Sequence, residues 1–108
     1  MEEKEKTRLP EEGKPELWFL YILECADGSY YTGITKDLDR RLAMHTSGKA
    51  SRYTRSRRPV RMLYHESCPS RTSALVRECE VKAYPRRRKE ALVRRGLALQ
   101  SAAEAFKD

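Results

Sequence analysis

Residues 17–24 form an almost unbroken apolar run, Leu17-Trp18-Phe19-Leu20-Tyr21-Ile22-Leu23, closed by Glu24. A short run of this kind, rich in aromatics and ending at a turn signal, predicts a strand covered on both faces. Ala26-Asp27-Gly28 supplies the turn, and Tyr30–Thr35 a second strand of aromatic and β-branched residues. Together they predict a β-hairpin. Its register decides which side chains share a face. A two-residue loop at Asp27-Gly28 sets Tyr21 opposite Ile34 and sends Tyr21 and Tyr31 to opposite faces. A three-residue loop, with Gly28 in the left-handed region, sets Tyr21 opposite Gly33 and Leu23 opposite Tyr31. The two tyrosines then lie diagonally on one face, roughly 7–8 Å apart. Glycine suits the conformation that this turn needs, so the second register is expected.

The period then changes. Asp37 reads as a helix N-cap and Gly48 as a stop. Between them Leu38, Arg41, Leu42 and His45 recur at helical spacing, so one face carries two leucines, an arginine and a histidine, with Arg40 pointing elsewhere. Lys49–Arg61 has no clear period and reads as an ordered loop. Arg61–Ser67 reads as a third strand. Pro69-Ser70 opens a helix running to about Tyr84, which Pro85 breaks. Arg86–Arg95 reads as a short basic helix stopped by Gly96, and Leu97–Phe106 as a further helical stretch. The expected order is β-β-α-β-α-α, an α/β domain with a small, partly antiparallel three-stranded sheet flanked by helices. Residues 1–15 are charged, poor in apolar residues and punctuated by Pro10, Gly13 and Pro15. They read as a flexible tail. The expected domain is 16–96, with 97–108 a C-terminal extension.

Length and composition narrow the class. The chain of 108 residues has room for one core. Its formal charge of +7 points to a polyanionic partner. That charge is unevenly spread: residues 1–35 are net −4, residues 36–95 net +12, and residues 96–108 net −1. No apolar run approaches the roughly 20 residues that span a bilayer, so no membrane partner is expected. The first residues lack the apolar stretch of a secretory signal. The three cysteines, Cys25, Cys68 and Cys79, form no C-x-x-C pair. A disulfide scaffold or zinc finger is not expected; a reducing cytoplasm fits, with all three as small buried or half-buried hydrophobes.

Five stretches, in order, carry a likeness. They are Phe19-Leu20-Tyr21; Tyr31-Thr32-Gly33; Gly33 through Asp37, Arg41 and Leu42 to His45; Ala50-Ser51-Arg52-Tyr53-Thr54-Arg55; and Ala74-Leu75-Val76-Arg77-Glu78 with Lys82. Together they resemble the GIY-YIG nuclease superfamily, in its small stand-alone bacterial branch, over residues 17–95. The resemblance implies a metal-dependent phosphodiesterase using Mg²⁺ or Mn²⁺. The corresponding expectation is an endonuclease that hydrolyses phosphodiester bonds in DNA, in repair or processing. A domain this short leaves specificity to a partner protein or a homodimer.

Hydrolysis of a phosphodiester needs an activated water, a Lewis acid, positive charge at the phosphate and a proton for the leaving oxygen. The resemblance assigns catalytic roles to Tyr21, Tyr31, Arg41, His45 and Glu78. The tyrosines would bind or activate the water and orient the phosphate. A lone strand tyrosine ordinarily packs and hydrogen-bonds; the shared face and basic helix favour function here. Arg41 has the fork that suits a phosphate, and it lies on a semi-apolar face. His45 is placed to accept or relay a proton near neutral pH, against a structural reading that is a serious rival. Glu78 is the expected metal ligand, since magnesium accepts one carboxylate and keeps several waters. Its simpler reading is an i,i+4 pair with Lys82. Gly33 would permit close backbone approach. Lys49, Arg52, Tyr53, Arg55, Arg57, Arg58 and Lys82 are expected to contact nucleic acid, with Tyr53 stacking on a base. His65 and Tyr30 read as structural.

Two departures stand out. Phe19 and Leu20 replace the glycine and isoleucine of the first signature. The asparagine that many members carry after the glutamate helix has no counterpart, because the chain has no asparagine; Lys89 is a candidate to fill that role. These departures motivate an alternative, a non-catalytic basic nucleic-acid-binding module that retains the fold.

Overall fold

The computed structural model describes residues 17–105. The expected tail over 1–15 lies outside the described residues, as do residue 16 and the last three. Three strands, β1 (Trp18–Glu24), β2 (Tyr30–Thr35) and β3 (Arg61–Cys68), form one sheet in the order β2-β1-β3. Both pairings are antiparallel. β1 is central because its apolar residues fill both faces: Leu20, Tyr21, Ile22 and Leu23 are at most 1% exposed. Among the described residues there are four helices: α1 (Leu38–Thr46) and α2 (Arg52–Arg55) between β2 and β3, and α3 (Arg71–Ala83) and α4 (Arg86–Ala105) after β3.

The expected order β-β-α-β-α-α is present, with α2 added. The hairpin adopts the three-residue loop: Tyr21 pairs with Gly33 and Leu23 with Tyr31. Gly28 has φ 84°, and the Cys25 amide donates to the Ser29 carbonyl at 2.8 Å to close the loop. Asp27 secures it by accepting from the Ser29 amide and hydroxyl at 3.0 and 2.6 Å.

One sheet face holds the main core. Leu20 and Ile22 cluster there with Cys68, Ala74, Val81 and Val93, drawing on α3 and α4. Tyr30 packs against this cluster as expected, with Arg86 over its ring at 3.8 Å. The opposite face presents Tyr21 to α1, because successive strand residues point to opposite sides. This split separates the stabilising core from the candidate site.

A polar clamp joins β3 to α3. The Glu66 carboxylate accepts from Arg77 at 2.7 and 3.2 Å and from the Tyr64 hydroxyl. Arg77 also donates to Glu80 at 3.0 Å and to the Tyr84 hydroxyl at 3.2 Å. Burial alone would raise the Glu66 carboxyl; the hydrogen bonds from Arg77 and Tyr64 outweigh it and hold the group below its ordinary value. Burial and the Glu66 carboxylate push the Tyr64 phenol up to about 12.

Three expectations are corrected. The stretch Lys49–Arg61 is not all loop: Ser51 caps α2 by accepting from the Thr54 amide at 3.1 Å. Gly96 does not stop a helix, since α4 runs unbroken from Arg86 to Ala105. The glycine instead makes room for Tyr64, whose Cδ1 would lie 2.7 Å from a Cβ at that position. Cys79 is exposed, unlike the buried Cys25 and Cys68, because it lies off the core-facing stripe of Ala74 and Val81 on α3. No described helix is long and apolar enough to cross a membrane.

Candidate active site

Tyr21 leaves the centre of β1 and its ring lies across Gly33. A Cβ at position 33 would stand 2.5 Å from the phenol oxygen, so the glycine is required by the ring above it. The Tyr21 hydroxyl meets His45 Nε2 at 2.8 Å. His45 projects from α1, which Asp37 caps by accepting from the Arg40 amide at 3.1 Å. The expected face of Leu38, Arg41, Leu42 and His45 is the one turned inward; all four are buried or half-buried. The other ring nitrogen, His45 Nδ1, lies 2.8 Å from Thr54 Oγ1 on α2.

Tyr31 completes an aromatic cluster. Its ring centroid is 6.5 Å from that of Tyr21 and 5.1 Å from that of His45. Its other side stacks on Tyr53 at 6.0 Å, and Arg57 covers Tyr53 at 3.8 Å. Asp27 in the hairpin turn holds Arg57 at 3.1 Å.

Charge enters this cluster from two sides. Arg41 brings a guanidinium whose Nε is buried with no hydrogen-bond partner. An orphaned donor of this kind is costly unless something binds it, and a phosphate oxygen has the right chemistry. A groove of about 750 Å³ reaches Arg41 past Arg40, Lys36, Met44 and Phe19. From the other side comes Glu78 on α3, with its side chain 19% exposed and Lys82 Nζ 3.2 Å away.

Burial and these charges set the proton affinities of the cluster. Burial raises the Tyr21 phenol above its ordinary value; Arg41 opposes the rise, while Tyr31 and Glu78 add to it. Burial, then the Arg41 charge, pushes His45 down to about 4. In the free protein the ring is therefore neutral near pH 7, with one ring nitrogen able to accept a proton.

Tyr21, Tyr31, Gly33 and His45 are thus joined by direct contacts, while Arg41 and Glu78 act on Tyr21 through their charge. The residues expected on nucleic acid divide into two groups. Lys49, Arg52 and Arg55 are exposed around α2. Arg57 and Arg58 have internal duties as well, Arg58 donating to the carbonyls of Arg55 and Thr46 at 3.1 and 3.3 Å. Phe19 sits edge-on to His65 at 6.5 Å, on the Tyr21 face of the sheet. Thr54 and its neighbour Ser51 are site residues that the sequence reading missed. The pattern Ser51-x-x-Thr54 was readable as an N-cap, but not its contact with a histidine nine residues earlier.

Among the described residues, no group of three or more His, Cys, Asp or Glu side chains could hold a metal ion. Glu78 offers a single carboxylate, a donor of the kind that a hard divalent cation such as magnesium accepts while keeping several waters.

The family model described as the GIY-YIG catalytic domain matches residues 17–91. The UPF0213 protein DP2720 of Desulfotalea psychrophila is 49% identical over 86 residues, 79% of this chain and 77% of its own. The UPF0213 protein BH0048 of Halalkalibacterium halodurans is 52% identical over 75 residues, 69% of this chain and 80% of its own. The solution structure of the protein EF2693 from E. faecalis, 36% identical, superposes with a TM-score of 0.52 over 72% of this chain and 83% of that one. The hairpin that pairs Tyr21 with Gly33, the α1 face below it and the matched domain agree: this chain belongs to the GIY-YIG family.

Proposed function

We propose that this chain is an endonuclease that hydrolyses phosphodiester bonds in DNA with the help of Mg²⁺ or Mn²⁺, in DNA repair or processing. The observation that carries the reading is the Tyr21–His45 hydrogen bond beside the buried, unpartnered Arg41 Nε. The first is a means of moving a proton; the second is a buried donor whose chemistry suits a phosphate oxygen.

In this reading Arg41 binds a non-bridging oxygen of the scissile phosphate and stabilises charge that develops there. Water adds to phosphorus and the P–O ester bond to the leaving group breaks. The water proton passes to the Tyr21 oxygen while the Tyr21 proton moves to His45 Nε2; the leaving oxygen takes a proton from solvent. Tyr31 holds the attacking water and the phosphate in line. The bound phosphate also offsets the Arg41 charge that disfavours the imidazolium, so substrate makes His45 a better base. Glu78 would hold the divalent ion, which as a Lewis acid supplies further charge stabilisation at the phosphate. Lys49, Arg52 and Arg55 would track the backbone, with Tyr53 and Arg57 beside them and Lys82 at the glutamate.

The test is nicking of supercoiled DNA with Mg²⁺ or Mn²⁺. Arg41→Ala is expected to lower kcat by about 10²–10³-fold. Tyr21→Phe and Glu78→Ala are expected to abolish most of the remaining turnover. Equal cleavage by the parent and these variants overturns the roles. Salt-sensitive DNA binding without metal-dependent cleavage by the parent would establish the non-catalytic binding module instead.

A further inference from the structure

The hydrogen-bond chain does not end at His45. Thr54 Oγ1 lies 2.8 Å from His45 Nδ1 and 3.0 Å from Ser51 Oγ, with the Ser51 carbonyl at 3.5 Å. His45 and Thr54 are both 0% exposed and Tyr21 is 1% exposed. In the free protein each polar proton in this stack is therefore best satisfied by a protein acceptor.

That requirement sets the direction of the chain. A phenol has one proton to donate, and the acceptor found for it is His45 Nε2. Arg41, the other polar group acting on the Tyr21 oxygen, can only donate. If Nε2 carried the ring proton, the buried Tyr21 proton would have no acceptor. Nε2 is therefore bare, and the neutral ring carries its proton on Nδ1. That N–H donates to Thr54 Oγ1, and the Thr54 hydroxyl donates onward to Ser51. The Ser51 cap of α2 fixes Thr54 in turn, since the Thr54 amide donates to Ser51 Oγ at 3.1 Å.

We propose that Thr54 is a positioning residue of the catalytic centre: it holds His45 in the tautomer with the proton on Nδ1, leaving Nε2 to take the Tyr21 proton. The catalytic consequence rests on the nuclease reading above; the tautomer itself does not. A histidine tautomer is set by the hydrogen bond of its other nitrogen. Here that bond comes from the short helix α2 inside the basic stretch. The stretch therefore does more than meet phosphates: it completes the proton path from β1 through α1.

The experiment pairs Thr54→Val, which keeps the shape and removes the hydroxyl, with Thr54→Ser, which restores it. The ¹⁵N shifts of the His45 ring are read in the parent and both variants at pH 7. The parent is expected to show a protonated Nδ1 and a bare Nε2. Thr54→Val is expected to lose that single tautomer, and Thr54→Ser to keep it. With cleavage of supercoiled DNA as second readout, Thr54→Val is expected to lose about 10–100-fold in kcat with KM little changed, and Thr54→Ser to recover most of it. A parent ring protonated on Nε2 overturns the proposal, even if Thr54→Val does not fold. Unaltered tautomer and kcat in a folded Thr54→Val overturn it too. A parent with the expected tautomer and no cleavage under any metal condition overturns the nuclease reading and the catalytic role of Thr54, and leaves its hold on the ring standing.

Discussion

His45 ties folding stability to pH over a window that few other groups here share. In an unfolded chain the imidazole titrates near 6.5; in this fold it is pushed down to about 4. The groups facing it are Tyr21, Tyr31, Thr54 and the Arg41 guanidinium, none of which offers a negative charge to an imidazolium at neutral pH. Below pH 6.5 the unfolded chain binds a proton that the folded chain refuses. Stability from this site is thus complete above pH 6.5, declines as pH falls from 6.5 towards 4, and levels off below 4. Linkage over that interval gives a loss of about 2 kcal/mol between pH 7 and pH 5. The perturbation that isolates it is His45→Gln, which removes the titration and keeps a polar side chain. Urea unfolding at pH 7, 6 and 5 is the assay. His45→Gln is expected to be less stable than the parent at pH 7, yet to lose about 2 kcal/mol less on going to pH 5. Asp27 and Glu66 are held below their ordinary carboxylate values, act mainly at lower pH, and cancel in the difference. Parallel stability curves for the two proteins would refute a buried neutral His45.

Three further substitutions test the packing behind the site. Gly33→Ala places a methyl 2.5 Å from the Tyr21 oxygen; it is expected to cost about 1–3 kcal/mol in urea unfolding and to weaken the Tyr21–His45 hydrogen bond, read as a moved His45 ¹⁵N signal. Gly96→Ala sets two effects against each other: a helix gains about 1 kcal/mol from the change, but the new Cβ meets Tyr64 at 2.7 Å. Because Tyr64 is also tied to Glu66, its ring has little freedom to yield, and net destabilisation is expected in thermal unfolding; a raised Tm would contradict that packing. Glu66→Gln removes the carboxylate that accepts two hydrogen bonds from Arg77, leaving it the more exposed Glu80, and is expected to cost about 1–3 kcal/mol at pH 7. Glu66 is held below its ordinary value, so its contribution is complete above the ordinary carboxylate range and lost as pH falls through the folded value; parent and variant should converge in stability at low pH.

Much of the site was legible because it depends on short-range rules. The hairpin register followed from one glycine that takes positive φ, and that register alone set Tyr21 and Tyr31 on one face. The α1 face followed from helical spacing between a clear cap and a clear stop. The misreadings share a different cause. Gly96 resembles a helix stop, but the reason for it is a tyrosine on β3, thirty-two positions earlier. The four residues of α2 are too few to show a period, and the worth of Thr54 depends on His45, which another helix supplies. Both depend on contacts between elements, and local pattern carries no record of those.

The basic excess of residues 36–95 acquires a sharper meaning from these contacts. A positive surface attracts phosphate wherever it is exposed, and Lys49, Arg52 and Arg55 are exposed. Arg41 differs because its Nε is removed from water and unpaired, and because its charge falls on two groups that share a hydrogen bond. It lowers the Tyr21 phenol from where burial would leave it, and it also opposes a charge on His45. Those effects conflict in the free protein: the phenol is helped to release a proton and the imidazole is hindered from taking it. An anion on Arg41 weakens both effects. Burial is the larger cause of the low His45 value, and the fold maintains it whatever is bound. The arginine contribution is the part that a phosphate can remove. In the proposed reaction the same side chain would bind the substrate and adjust the proton acceptor, and a mobile surface lysine in its place could do the first without the second.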